Sequence, residues 1–208
     1  MTAPRWRPEP GPADEARAQS VRDRLFDQRV VFLWGELDDA AAGQLAAELM
    51  TLDATGDEPV QLHIDSPGGT LEAAFCLIDV IDLLGVDLVA TCVGQAVGPA
   101  LGPLAVAHRR QATPHARLRL AEPVASMTGH PRDLDTWAAH HRAQVGRFAE
   151  RLAAAVGRPV DAVADDLAAG RYLDAQEALD YGLIDEVCGP RARIVPLPGP
   201  RLGFRPRP

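Results

Sequence analysis

The chain contains no lysine: all 21 of its basic residues are arginine. A Ser–Lys dyad, a Schiff-base lysine and a GxxxxGKS/T phosphate loop are each excluded by that absence. Serine is nearly as scarce, with Ser20, Ser66 and Ser126 as its only occurrences. Ser20 lies at the edge of an N-terminal tail, and Ser66 opens a Pro-Gly-Gly turn where serine commonly serves the turn itself. Ser126 is left as the one candidate for a nucleophile in an unusual place. The three cysteines, Cys76, Cys92 and Cys188, have no metal-ligand spacing. Cys76 and Cys92 lie in apolar runs and read as buried, inert thiols. No run of 18 apolar residues exists, so no membrane span is expected. The first twenty residues lack the apolar core of a secretory signal, which makes the cytoplasm the expected compartment. A net charge of −8 argues against nucleic acid as a partner. No cofactor and no metal are expected.

What is present is enough for one domain with a packed core: 208 residues, 47% of them hydrophobic. Residues 1–19 and 191–208 are rich in proline, arginine and glycine and read as tails around a domain at 20–190. Inside it, strand and helix signals alternate. "RVVFLWG" (29–35) reads as a buried strand. Asp38 then caps a helix carrying Leu45, Leu49 and Leu52. "PVQLHID" (59–65) is a second strand, "SPGG" (66–69) a turn, and a helix runs on through Leu84. "VDLVATCV" (86–93) is a third strand and "RLRL" (117–120) a short fourth. A long helix spans Asp133 to Val156, and two short ones lie near Pro159–Ala168 and Asp174–Tyr181. This alternation predicts an α/β fold with a mostly parallel sheet.

"GQAVGPALGP" (94–103) raises the functional question. A strand entering a glycine-rich turn and a helix start commonly presents a nucleophile. Here the turn offers only Gly98, flanked by Val97 and by Pro99, a proline suited to a helical first turn.

Four anchors in order, "RVVFLWGELDD", "HIDSPGG", "VGQAVG" and "YLDAQEALDYGLIDEV", resemble the proteolytic subunit of the Clp protease (ClpP), a serine peptidase family on the ClpP/crotonase fold. The resemblance runs from about Leu25 to Val187. It implies stacked ββα units with a protruding handle helix, here 133–156. It also implies a Ser–His–Asp triad, which this sequence breaks. Gly98 stands at the serine position and Ala121 at the histidine position, where the interval is two residues shorter than the family pattern. Asp166 matches the aspartate. Two backbone donors form the family's oxyanion hole. Gly69 matches the first, but the second falls on Pro99, which has no N–H. Gly68, Gly69, Pro123 and Val124 match positions that bind substrate.

The resemblance therefore implies a degenerate, catalytically silent subunit. Its implied partners are ClpP-like paralogue subunits in a mixed barrel and an AAA+ Clp ATPase, with no nucleic acid or membrane. An arginine often precedes the aspartate in the family and pairs between rings; here that place is Asp165. The apolar stripe Leu134, Trp137, Ala138, Val145, Phe148, Leu152 on the long helix is expected to bury against a partner subunit. Two other readings stand beside this one: a scaffold holding peptide by β-augmentation, and a crotonase-type acyl-CoA enzyme. Asp65 and Asp166 could be paired acids or turn caps, and His63 is expected to be a sheet histidine rather than a base.

Overall fold

The computed structural model describes residues 21–123, 128 and 130–189. A helical stretch at 21–26 leads into β1 (Val30–Trp34), followed by α1 (Asp39–Thr55), β2 (Val60–Ser66), α2 (Leu71–Leu83) and β3 (Leu88–Val97). One 3-10 turn (Gly98–Ala100) precedes the short α3 (Leu101–Ala105). Then come β4 (Arg109–Ala112), β5 (Arg117–Arg119), α4 (Pro131–Val156), α5 (Val160–Ala169), β6 (Tyr172–Leu173), α6 (Ala175–Tyr181) and β7 (Glu186–Val187). The expected α/β architecture is what forms.

Local chemistry sets the boundaries. The Asp38 carboxylate accepts from Ala41 N at 2.8 Å and starts α1, and Thr70 Oγ1 accepts from Ala73 N at 3.2 Å and starts α2. Asp174 and Glu177 form a reciprocal capping box on α6. Glycine in the left-handed conformation ends α4, α5 and α6 at Gly157, Gly170 and Gly182.

The sheet runs β1-β2-β3-β4-β7, all parallel, with β5 pairing the far end of β3 and β6 pairing β5 antiparallel. Strand β3 thus forks: Val89 to Cys92 pair with β4, and Gln95 to Val97 pair with β5. One face of the sheet is a dry core of Val31, Leu33, Val60, Leu62, Ile64, Leu88, Ala90, Cys92 and Ala112, each 2% exposed or less. The helices supply the facing layer, including Leu45, Leu49, Leu77, Ile78, Leu101 and Phe148.

Several expectations change. Strand β3 extends four residues further, through "GQAV", because β5 offers it a second partner. Strands β4, β6 and β7 have no apolar signature of their own; they exist because neighbouring strands leave ladder positions to fill. Cys92 is buried, but Cys76 is exposed, since Ala73, Ala74, Leu77 and Ile78 are the residues that turn α2 towards the core. The α4 stripe divides. Phe148 and Leu152 are buried within this chain, while Leu134, Trp137, Ala138 and Val145 stay half-buried, with Trp137 stacked on His141 at 5.2 Å. Among the described residues no helix is long and apolar enough to cross a membrane. The tails at 1–19 and 191–208 lie outside the described residues, as do Val124 and Ser126.

Candidate active site

Three segments converge where parallel strands release their carboxyl ends, the usual location for a site in an open α/β sheet. "SPGG" follows β2, "GPA" follows β3, and "AEP" follows β5. Pairing of Ser66 with Ala96, and of Val97 with Arg119, holds the three segments side by side.

The "SPGG" turn is fixed from inside. Ser66 is fully buried; its Oγ accepts from Gly68 N at 3.3 Å and donates to Gly68 O at 3.1 Å. Leu37 N–H donates to Gly68 O and Thr70 N–H donates to Leu37 O, the two bonds of a parallel bridge between Leu37 and Gly69. That bridge presses Gly69 against Leu37. A Cβ on Gly69 would stand 2.0 Å from Leu37 O, so only glycine fits. It also turns the Gly69 N–H away from Leu37. Among the described residues no acceptor meets it. The Gly69 N–H is therefore unpaired among the described residues.

The second half of the site is closed. Gly98 has φ +50°, and a Cβ built there would lie 2.9 Å from Ala121 O and 4.0 Å from Ala121 Cβ. Residues 98 and 121 are thus adjacent in space. Neither carries a group that can accept a proton or attack a carbonyl. Pro99 is buried in the 3-10 turn and contributes no N–H. The segment after β5 is bonded to the body of the fold: Leu120 N–H donates to Arg171 O at 2.9 Å, and Glu122 N–H donates to Leu167 O at 3.1 Å. Pro123 is buried beside it.

Asp166 sits near the C-terminus of α5 with both carboxylate oxygens engaged. Oδ2 accepts from the Tyr181 hydroxyl at 2.8 Å, and both oxygens lie 3.2 Å from Arg171 Nη1. Two guanidiniums lie over the Tyr181 ring, Arg158 at 4.1 Å and Arg171 at 5.3 Å from its centroid. Burial, then the Asp166 hydrogen bond, pushes the Tyr181 phenol up to about 12. Asp165 beside it is exposed. Asp65, the other acid considered, accepts from Trp34 Nε1 at 3.2 Å and Gln95 N at 3.1 Å. The two carboxylates serve different partners and make no acid pair. His63 is a sheet residue, edge-on to Phe32 at 5.5 Å, and burial lowers its pKa.

Sequence reasoning missed the groups that engage Asp166. Tyr181 and Arg171 lie in or beside the quoted "YLDAQEALDYGLIDEV", but nothing in that string says which way their side chains turn. It also missed Arg110, whose guanidinium donates to Ala155 O, Gly182 O and the Asp185 carboxylate, stapling β4 to the ends of α4 and α6.

Comparison with known proteins agrees with this geometry. The family model described as "Clp protease" matches residues 13–191. The "ATP-dependent Clp protease proteolytic subunit 3" of Rhodococcus jostii (strain RHA1) is 35% identical over 188 residues, 88% of this chain and 93% of that protein. With the match spanning the whole described fold and all three converging strand ends, the chain belongs to the Clp protease family, as a homologue of its proteolytic subunit.

Proposed function

We propose that this chain is a non-catalytic subunit of a Clp-type barrel, working as a structural or regulatory partner of catalytically intact ClpP-like paralogues. The observation that carries this reading is the closed turn at Gly98. Position 98 has no side chain, Ala121 O stands 2.9 Å from where one would begin, and the next residue has no N–H. Loss of a triad serine or histidine costs roughly 10⁶ in rate, and loss of one oxyanion donor about 10²–10³. Either loss alone suffices to silence peptide hydrolysis.

The half-buried residues Leu134, Trp137, Ala138 and Val145 of α4 give the chain a surface for a partner subunit. Exposed Asp165 next to Asp166 disfavours a like-charged copy of itself and favours an arginine-bearing paralogue. The barrel would meet an AAA+ Clp ATPase through its paralogues, in the cytoplasm, with no nucleic acid and no membrane involved.

Two measurements test this. Purified protein is expected to leave fluorogenic peptides and casein intact and to resist fluorophosphonate labelling; a covalent adduct on any residue, Ser126 included, overturns the reading. Mass photometry is expected to find no homomeric double ring, and a mixed barrel on co-expression with an intact paralogue. A stable homomeric double ring overturns the dependence on a paralogue. The peptide-scaffold reading has less to work with, since Leu120 and Glu122 N–H are already bonded within the chain. An acyl-CoA enzyme would need the second oxyanion donor that Pro99 removes.

A further inference from the structure

Strand β1 is an edge strand: it pairs with β2 and, among the described residues, with nothing on its other side. The ladder fixes which of its backbone groups are used. Gln61 N–H donates to Arg29 O at 2.9 Å, and Gly35 N–H donates to Asp65 O at 3.0 Å. In a parallel pair of that phase, residues 29, 31, 33 and 35 bond to β2, and the N–H and C=O of Val30, Phe32 and Trp34 point the opposite way. Among the described residues no backbone or side-chain group meets these donors and acceptors. Such a row is a template for pairing with another chain, and proteins commonly blunt it with proline, a charged side chain or a bulge. "VVFLW" has none of these, and its register with β2 runs without a break. At the other margins of the sheet, β6 and β7 are only two residues each.

The strand opens into a cavity of about 330 Å³, lined by β1, by Phe26 and its helical stretch, and by Ala41, Gln44 and Glu48 of α1. That volume is in the range of ligand pockets. The largest side chain of β1 leaves the edge clear. Trp34 Nε1 donates to Asp65 Oδ2 at 3.2 Å, which draws the indole towards β2, and the ring is stacked on Phe32 at 5.0 Å. One added strand needs about 4.8 Å beside β1. The β1 edge of a second copy would instead bring its own Phe26 helix and α1, each roughly 10 Å across, against their counterparts. Glu48 is half-buried, accepts from Gln44 Nε2 at 2.8 Å, and puts a negative charge on the α1 wall.

We propose that the free edge of β1 takes an extended peptide segment of a partner protein as an added strand. A donor and an acceptor repeated at every second residue match an extended backbone and no folded surface. Alternate side chains of the segment then divide between two environments. One set lies beside Phe32 and Trp34, on the sheet face away from the core, and is apolar. The other set meets Ala41 and Glu48 of α1, where small residues and one basic residue fit. This edge is separate from the strand ends at "SPGG", "GPA" and "AEP", and the inference does not depend on the proposed catalytic silence.

Amide hydrogen exchange of the full chain, read by NMR, tests this. In the free protein the amides of Val30, Phe32 and Trp34 are expected to exchange fast, and those of Val31 and Leu33 slowly. Slow exchange at all five would mean that the edge is already covered, by a second copy or by another part of the chain, and overturns the proposal. The probe is the peptide acetyl-Thr-Val-Arg-Val-Thr-Val-Thr-amide. At about ten times its Kd it is expected to slow exchange at Val30, Phe32 and Trp34 by about tenfold. No slowing at millimolar peptide overturns the proposal. Two N-methylated versions then separate strand pairing from side-chain contact, one methylated at the valines and one at the arginine and the inner threonine. Only one of these alternate sets can face β1, so one peptide is expected to lose binding and the other to keep it. Equal effects of the two overturn the pairing. Gln44→Trp, at an exposed position beside the groove, is expected to keep the melting temperature and to weaken the peptide about tenfold or more, the worth of about one backbone bond. Undiminished binding to that variant would put the peptide elsewhere and overturn the site.

Discussion

The carbonyl oxygen of Ala121 lies 2.9 Å from the point where a Cβ on residue 98 would stand. The turn after β3 and the segment after β5 have closed on each other across the place where a nucleophile would project. The φ of +50° at Gly98 suits glycine, and other residues adopt it only at a cost.

Gly98→Ser is therefore expected to destabilise the protein by about 1–3 kcal/mol, from backbone strain and the approach to Ala121 O. Urea denaturation reads the loss, and fluorophosphonate is expected to leave the variant unlabelled.

Restoring two triad members is not expected to restore activity. Gly98→Ser with Ala121→His still lacks the donor at Pro99, worth about 10²–10³ in rate. It also lacks a free orienting carboxylate, because Asp166 is held by Tyr181 and Arg171; a wrongly oriented histidine costs about 10⁴. If kcat/KM of the double variant on a peptide matched that of an intact Clp peptidase, both statements would be wrong.

Asp166 is expected to behave as a structural acceptor. Asp166→Asn keeps an oxygen for the Tyr181 hydroxyl and gives up an ion pair to a half-exposed arginine, a loss of roughly 0–1 kcal/mol. Asp166→Ala leaves the Tyr181 hydroxyl without a partner and is expected to cost about 1–3 kcal/mol. Thermal melts of the two variants separate these cases. Because the folded Tyr181 phenol is raised to about 12, its contribution is full below the unfolded value near 10 and is lost as pH rises through the folded one. Tyr181→Phe is expected to remove that alkaline loss and the ultraviolet absorbance step near pH 12.

Acid acts on the Arg110–Asp185 pair. The side-chain hydrogen bond from Arg110 holds the Asp185 carboxyl below its usual range. Its contribution is present above the unfolded value of about 3.9 and is lost as pH falls through the folded one. Asp185→Asn is expected to be less stable at neutral pH and to lack this acid-side loss in denaturation curves taken from pH 7 downwards.

Thiol reagents are expected to distinguish the cysteines in the native state. Cys76 is exposed and is expected to react first. Cys92 is buried, and burial pushes its thiol up to about 12, so it is expected to react only on unfolding. A mass-spectrometric time course of alkylation reads the order, and early modification of Cys92 would contradict the packing of β3.

The sequence by itself determined the elements whose signals are local. Alternating Val31, Leu33, Leu62 and Ile64 make parallel core strands, Asp38 and Thr70 start helices, and "SPGG" makes the turn, because caps, turns and side-chain alternation act within a few residues. It also determined the chemical losses at positions 98, 99 and 121, since the absence of a hydroxyl, an N–H or an imidazole needs no coordinates. Only the tertiary structure decided what long-range partners control. Strands β4, β6 and β7 exist by pairing rather than by propensity. Phe148 and Leu152 join the chain's own core, whereas Trp137, on the same stripe, stays half-buried with its ring stacked on His141 of the same helix. The roles of Asp166 and of the Ala121 carbonyl were likewise set by groups 15 and 23 positions away in sequence, Tyr181 and Gly98. A hydrogen bond or a steric contact depends on distance in space, and folding alone brings such positions together.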